Sequence, residues 1–206
     1  MKKIILIFIA LSLTLIFSCS KDESAPVIML KGESAINHVL NDEFVEPGYA
    51  AFDDEDGDIT DKVTVGSLKE NEAGEQTITY SVADTEGNNG EAKRKVIVFN
   101  EADIMQGSWN AEYIFPYPSA DKAQYTDNIT TSDKINREFT ISDFGENIGA
   151  NIIGTMGTTS LSFEDQTISG DAFSVQQVNI ADNSTKITIE YTIGSDVGVM
   201  VLVKNN

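Results

Sequence analysis

The 206 residues hold one cysteine, one histidine, one tryptophan and four prolines, and only 14 lysines and arginines against 33 aspartates and glutamates. Each shortage excludes something. With Cys19 the lone thiol, no internal disulfide can form. A His/Cys zinc site cannot be assembled, and thiol catalysis has no nucleophile. His38 would have to serve any Ser-His-Asp triad by itself, yet no G-x-S-x-G occurs, and Gly194-Ser195-Asp196-Val197-Gly198 has Asp at its centre. P-loop and G-x-G-x-x-G sequences are missing as well. A formal net charge of −19 repels nucleic acid and anionic headgroups, so no nucleic-acid partner is expected. The reading is of a protein without catalysis.

Long apolar runs are also scarce. The longest, Ile4 to Phe17, is broken by Ser12 and Thr14 and falls short of the ~20 residues that a spanning helix needs. Lys2 and Lys3 precede it and small Ser18 follows, the pattern of a secretory signal peptide over residues 1–18. Ile16-Phe17-Ser18-Cys19 resembles the lipobox of bacterial lipoproteins, and the resemblance implies that Cys19 becomes the lipidated first residue. Acylation explains a lone thiol in an exported protein. Acyl chains stabilise membrane association by about 0.8 kcal/mol per buried methylene. Cleavage removes Lys2 and Lys3, lowering Lys+Arg from 14 to 12 against 33 acidic residues, which leaves −21. The membrane link is then the lipid, not a basic face. Residues 19–25 read as a tether, and Ser20-Lys21-Asp22-Glu23-Ser24 resembles the export signals of surface-displayed lipoproteins in some Gram-negative bacteria. The expected location is the outer membrane, lipid-anchored and exposed at the cell surface.

From Pro26 onward the chain reads as strands. Short runs rich in Val, Ile, Thr, Tyr and Phe alternate with clusters of Gly, Asn, Asp and Ser, and no stretch keeps a helical period. Gln76 to Val82 alternates cleanly, with Ile78, Tyr80 and Val82 on one face. Regularly spaced short strands predict sandwiches or barrels, an all-β fold.

Several short motifs follow one another in residues 26–100. They are Pro26-Val27-Ile28-x-Leu30-x-Gly32, Glu46-Pro47-Gly48-Tyr49-x-Ala51, Asp56-Gly57-Asp58-Ile59-Thr60, Gly74 ahead of Thr79-Tyr80-Ser81-Val82, Asp84-x-x-Gly87-Asn88 and Arg94-x-Val96-x-Val98. Together they resemble the bacterial surface immunoglobulin-like domain related to HYR modules. The resemblance implies a small β-sandwich used as a stalk, spacer or adhesive module, with no catalysis.

Residues 103–206 are expected to form a second β-domain. Strands are predicted at 107–115, 137–142, 147–154, 158–163, 172–178, 186–192 and 197–204, with a long polar loop over 119–133. Seven or eight antiparallel strands fit an up-and-down barrel, because closure removes exposed edges. Gly107-x-Trp109 resembles the first-strand signature of lipocalin-like barrels. The stretches Arg137 to Gly145 and Ile187 to Tyr191 resemble C-terminal β-domains of lipoproteins encoded beside glycan-uptake systems. Trp109 reads first as a core plug, since buried aromatics dominate core energetics. With Tyr113, Tyr117 and Tyr125 it is also the set of aromatics that would stack on a sugar. A glycan, another ligand or a neighbouring uptake protein is the implied partner. The alternatives are a purely structural or adhesive surface protein, and a lipid-binding or hydrolytic barrel.

The densest polar cluster is Asp53, Asp54, Glu55, Asp56, Asp58 and Asp61. Oxygen-only donors of this kind suit calcium, which takes six to eight oxygen ligands. The segment is no EF-hand: with Gly57 at the glycine position, Phe52 falls at the first ligand and Val63 at the last. A site would need the Asp84, Glu86 and Asn88 turn, if both loops share one end of the sandwich. Asp54, Asp56, Asp58 and Asp84 are the candidate calcium ligands, and no other cofactor is expected. The bland alternative is a turn whose Asp side chains bond backbone amides.

Overall fold

In a computed structural model, the structure describes residues 21–115, 122–144, 150–181 and 185–205. It is all β, with short 3-10 turns at Thr60–Lys62 and Glu101–Met105 and, among the described residues, no helix long and apolar enough to cross a membrane. Signal peptide and Cys19 lie outside the described residues.

The first seven strands are β1 (Val27–Leu30), β2 (Ala35–Val39), β3 (Tyr49–Asp53), β4 (Gly57–Asp58), β5 (Thr64–Val65), β6 (Gly74–Ala83) and β7 (Asn89–Phe99). They make a three-stranded sheet, β1-β3-β4, and a four-stranded sheet, β2-β7-β6-β5. The period-two pattern works as the sequence predicts: Ile78, Tyr80 and Val82 of β6 are buried, and so are Arg94, Val96 and Val98 of β7. Ala51 and Ile59 pack with Val82, with Ile28 and Val63 at the margin of the same cluster. β2 runs parallel to the end of β7, from Ala35 opposite Lys95 to Val39 opposite Phe99.

Nine more strands follow: β8 (Gly107–Ile114), β9 (Lys122–Thr131), β10 (Glu138–Phe144), β11 (Ala150–Met156), β12 (Leu161–Phe163), β13 (Gln166–Ile168), β14 (Asp171–Ala181), β15 (Lys186–Ile193) and β16 (Asp196–Lys204). They form one antiparallel sheet, β12-β11-β10-β9-β8-β16-β15-β14-β13. Its end strands β12 and β13 are joined only by Glu164 and Asp165. Consecutive Cα atoms lie about 3.8 Å apart, so a link this short forces the two ends of the sheet round towards each other. The result is a curled, barrel-like wall whose inner face is filled. Trp109, Phe139, Phe144, Phe173 and Tyr191 are all at most 2 % exposed. Two glycines admit the rings. A Cβ on Gly154 would lie 2.5 Å from the Phe139 ring, and one on Gly198 would lie 2.4 Å from that of Tyr191.

Two expectations differ from this sheet. The polar stretch 119–133 contains a ten-residue strand, β9, and β13 falls where the sequence predicts no strand. β9 is disguised by its outer face: Lys122, Gln124, Thr126, Asn128 and Thr130 face solvent, while only Ile129 on the inner row is a large aliphatic. Asp127, on the same inner row, is buried because the Tyr113 hydroxyl donates to its carboxylate.

By contact the chain divides into two compact units. Of the described residues, one takes those up to Ser34, Pro47–Gly66 and Ile78–Arg94; the other takes Ala35–Glu46, Ser67–Thr77 and those from Lys95 onward. In the first unit, Arg94 is fully buried. Its guanidinium donates to the carbonyls of Lys31 (2.9 Å), Gly48 (3.2 Å) and Glu33 and to the Tyr80 hydroxyl (3.0 Å). In the second unit the hub is Asn100, 1 % exposed, which caps the 3-10 helix Glu101–Met105 and ties it to the β9–β10 connection.

Candidate functional site

The acidic loop is built largely as a set of turns. Asp53 Oδ1 accepts from the amides of Glu55 and Asp56, each at 3.0 Å, and Asp58 Oδ1 accepts from the Thr60 amide at 3.0 Å. The Thr60 hydroxyl and amide hold Asp58 below the usual carboxylate range. Asp54 is exposed. Asp56 reaches the other loop: its carboxylate accepts from the Thr85 amide at 2.9 Å and from the Thr85 hydroxyl at 2.7 Å. Those bonds, led by the hydroxyl and helped by Lys62 at 3.4 Å, lower its pKa. The 53–58 and 84–88 loops therefore do share one end of the module, as the sequence suggested.

The carboxylates that converge keep Asp84 from the candidate ligands and Glu86 from the partner turn, and add Asp22 in place of Asp54, Asp56 and Asp58. One oxygen each from Asp22, Asp84 and Glu86 lie within 4.8 Å of one another. Asp22 and Asp84 are 6 % and 7 % exposed, while Glu86 is exposed. Asp84 shapes its turn, accepting from the Asn88 amide and side chain at 2.7 Å each. Burial works to raise its pKa, but the bonds from Asn88 and from the amides of Gly87 and Glu86 outweigh it, and the net shift is downward. Glu86 is shifted up, first by desolvation and then by the charges of Asp56, Asp84 and Asp22. Asp22 Oδ1 accepts from the Ser24 amide at 2.8 Å, whereas Asp22 Oδ2 is buried with no hydrogen-bond partner among the described residues. Sequence reasoning missed Asp22 because nothing local marks it. It joins the trio only because the tether folds back, held by Asn88 Nδ2 donating to the Asp22 carbonyl at 3.2 Å.

Of the proposed stacking aromatics, Trp109 sits in the core, the first of its two readings, and Tyr113 is buried there with it. Trp109 is fully buried and donates from Nε1 to the Met105 carbonyl at 2.9 Å; Tyr113 is 5 % exposed and bonded to Asp127. Neither offers a free face, because both lie on the inner row of β8. Tyr125 is half-buried, its ring 5.7 Å from that of Tyr113, and Tyr117 lies outside the described residues. One concavity in this unit, on the outer face of the sheet, is lined by Tyr125 beside Glu112 and Gln124; another lies away from these aromatics. A pocket of about 530 Å³, within the range of small-molecule sites, opens between the 3-10 helix and the β11–β12 turn. Its aliphatic wall includes Ile104, Met105, Met156 and Leu161, and its polar rim Arg137 and the turn residues Thr158, Thr159 and Ser160. The Arg137 side chain is fixed on Glu101 by bonds of 2.7 and 3.2 Å, which hold Glu101 below its ordinary value. His38, half-buried in β2, lies 3.1 Å by Nε2 from the Asp42 carbonyl and packs edge-on against Phe44.

Residues 28–98, which include the 53–58 and 84–88 loops but not Asp22, match the family model of the bacterial surface protein Ig-like domain. The N-terminal module is thus the surface immunoglobulin-like domain that its ordered motifs resemble. Among solved structures the chain is similar to a lipoprotein of Bacteroides thetaiotaomicron, at 20% identity and TM-score 0.36, over 87% of this chain and 100% of that one. It is also similar to the CBM51-2 and INT domains of Clostridium perfringens ZmpB solved with GlcNAc, at 18% identity and TM-score 0.30, over 87% of this chain and 44% of that one. A ZmpB structure that includes the M60 catalytic domain aligns at 17% identity and TM-score 0.30, with 21% of its chain covered. No curated protein matches.

Proposed function

We propose that the mature protein is a non-catalytic lipoprotein of the outer membrane, acylated at Cys19 and displayed at the cell surface. Residues 26–100 act as the spacer, and residues 103–206 carry a ligand site. The observation behind the second part is the pocket beside the 3-10 helix, which sets an aliphatic wall opposite hydroxyl, guanidinium and carboxylate groups. A pyranose has the same division, a C–H face and a hydroxyl edge, so a glycan taken up by a neighbouring transport system is the ligand class that suits it. The filled inner face of the sheet rules the barrel interior out as the binding volume and favours one competing reading, a structural or adhesive role.

A glycan array probed with the lipid-free protein separates the two. The ligand reading expects binding that Ile104→Glu abolishes without lowering the melting temperature, since Ile104 lines the pocket and is 64% exposed. An array without binding, or binding that ignores the substitution, refutes it in favour of the structural role.

A further inference from the structure

We propose that Asp22, Asp84 and Glu86 bind a calcium ion, which clamps the N-terminal tether onto the immunoglobulin-like module. The site is not the acidic run at 53–61: among the described residues its carboxylates form no convergent group of three, whereas these do. Three observations carry the proposal. The three carboxylates converge to within 4.8 Å, although the tether and the 84–88 turn come from separate parts of the chain. Two of the three are more than nine-tenths buried, so water cannot fully solvate their charge. And Asp22 Oδ2 is a buried carboxylate oxygen without a hydrogen-bond donor among the described residues, which a cation would satisfy. The upward shift of Glu86, driven by desolvation and by Asp56, Asp84 and Asp22, agrees with a site where negative charge is in excess.

The donor set selects the ion. All three ligands are carboxylate oxygens on irregular loops. That excludes a preference for zinc or copper, which favour imidazole and thiolate, and it suits calcium better than magnesium, which demands near-ideal octahedral geometry. Three carboxylates leave room for carbonyls and water in a coordination of six to eight. A site with only three protein carboxylates, on loops, falls in the weak range of extracellular modules, with a dissociation constant of ~10⁻⁴–10⁻³ M.

The clamp has a mechanical consequence that rests on the lipoprotein reading. Asp22 is three residues beyond Cys19. Pro26, at the end of the tether, packs against the backbone of Gly90, where a Cβ would lie 2.1 Å from the Pro26 carbonyl oxygen. Calcium at Asp22 would extend that attachment to within three residues of the lipid.

The test is a thermal melt of the full mature chain in EDTA and then in 5 mM calcium chloride, with magnesium chloride as the comparison. Trypsin cleavage after the exposed Lys21 is followed in parallel. A site of ~0.5 mM raises the melting temperature of the immunoglobulin-like module by about 6–11 °C at 5 mM calcium and slows the cleavage. Asp22→Asn and Glu86→Gln should each remove both effects, while Asp54→Asn keeps them. Glu86 is exposed, so its variant has no fold to lose. No shift with calcium, a shift that survives both substitutions, or one lost in Asp54→Asn overturns the proposal. Neither readout depends on acylation, so its failure leaves the anchor intact, and a bare Cys19 leaves the calcium result standing.

Discussion

Replacing Asn100 by alanine should unfold the second unit more readily than any other single polar truncation there. Asn100 Oδ1 accepts from the amides of Ala102 (2.9 Å) and Arg137 (2.7 Å), and its Nδ2 donates to the carbonyls of Ser132 (2.9 Å), Ile135 (3.0 Å) and Glu138 (3.1 Å). Two of those carbonyls have a second donor, since Ile135 O also accepts from the Glu138 amide and Glu138 O from the Ser132 amide. Truncation therefore orphans chiefly two amides and the Ser132 carbonyl. At 1–3 kcal/mol for each unsatisfied buried group, with some regained from water, the cost is about 3–5 kcal/mol. That corresponds to a fall in melting temperature of roughly 10 °C for a unit of this size. The assay is built in: Trp109 is the single tryptophan, fully buried in this unit, so its fluorescence follows unfolding there. Asn100→Asp keeps the acceptors but turns the two donors into lone pairs facing three carbonyls, and should be at least as costly. A loss below about 1 kcal/mol, or an aspartate variant milder than alanine, would refute the account of Asn100 as the hub.

Other consequences can be checked the same way. Arg94→Met should destabilise the immunoglobulin-like module by about 2–4 kcal/mol in far-UV circular dichroism melts. Arg94→Lys should rescue little of it, because one ammonium cannot reach three carbonyls and the Tyr80 hydroxyl together. Gly154→Ala should cost about 1–3 kcal/mol by driving a methyl group into Phe139 and Phe163. In acid, the Glu101–Arg137 pair sets a direction. The folded pKa of Glu101 is depressed below its ordinary 4.5, so its contribution is complete above 4.5 and disappears as pH falls through the lower folded value. Glu101→Gln should flatten that part of the stability–pH curve; an unchanged curve would contradict the assignment.

Much of the architecture was legible because two regularities coincide in this chain. β6 and β7 alternate without interruption, and the turn residues around them fall in an order that marks the module on motifs alone. The curled sheet was legible in kind and less so in number. β9 looks like a loop because its buried row includes Asp127, a residue that reads as solvent-facing until Tyr113 is known to lie opposite. Tyr113 misled for the converse reason: it stands on a strand whose inner row a linear reading cannot orient by itself, although Trp109 on the same strand reads first as core. At the acidic site the sequence shows where carboxylates are dense, but density and convergence are different properties. In the run at 53–58, Asp53 and Asp58 bond nearby amides and Asp56 bonds Thr85, whereas Asp22 reaches Asp84 and Glu86 only through long-range folding of the tether.

Spacing, surface display and the mechanical role of the tether clamp all presuppose a lipid at residue 19. Mass spectrometry of the N-terminal peptide from the native membrane-extracted protein tests it most directly. The prediction is a chain that begins at Cys19 with its sulfur diacylglyceryl-modified, and a Cys19→Ser variant that leaves the membrane fraction. A mature chain with an unmodified Cys19, or one that still carries residues 1–18, would contradict it.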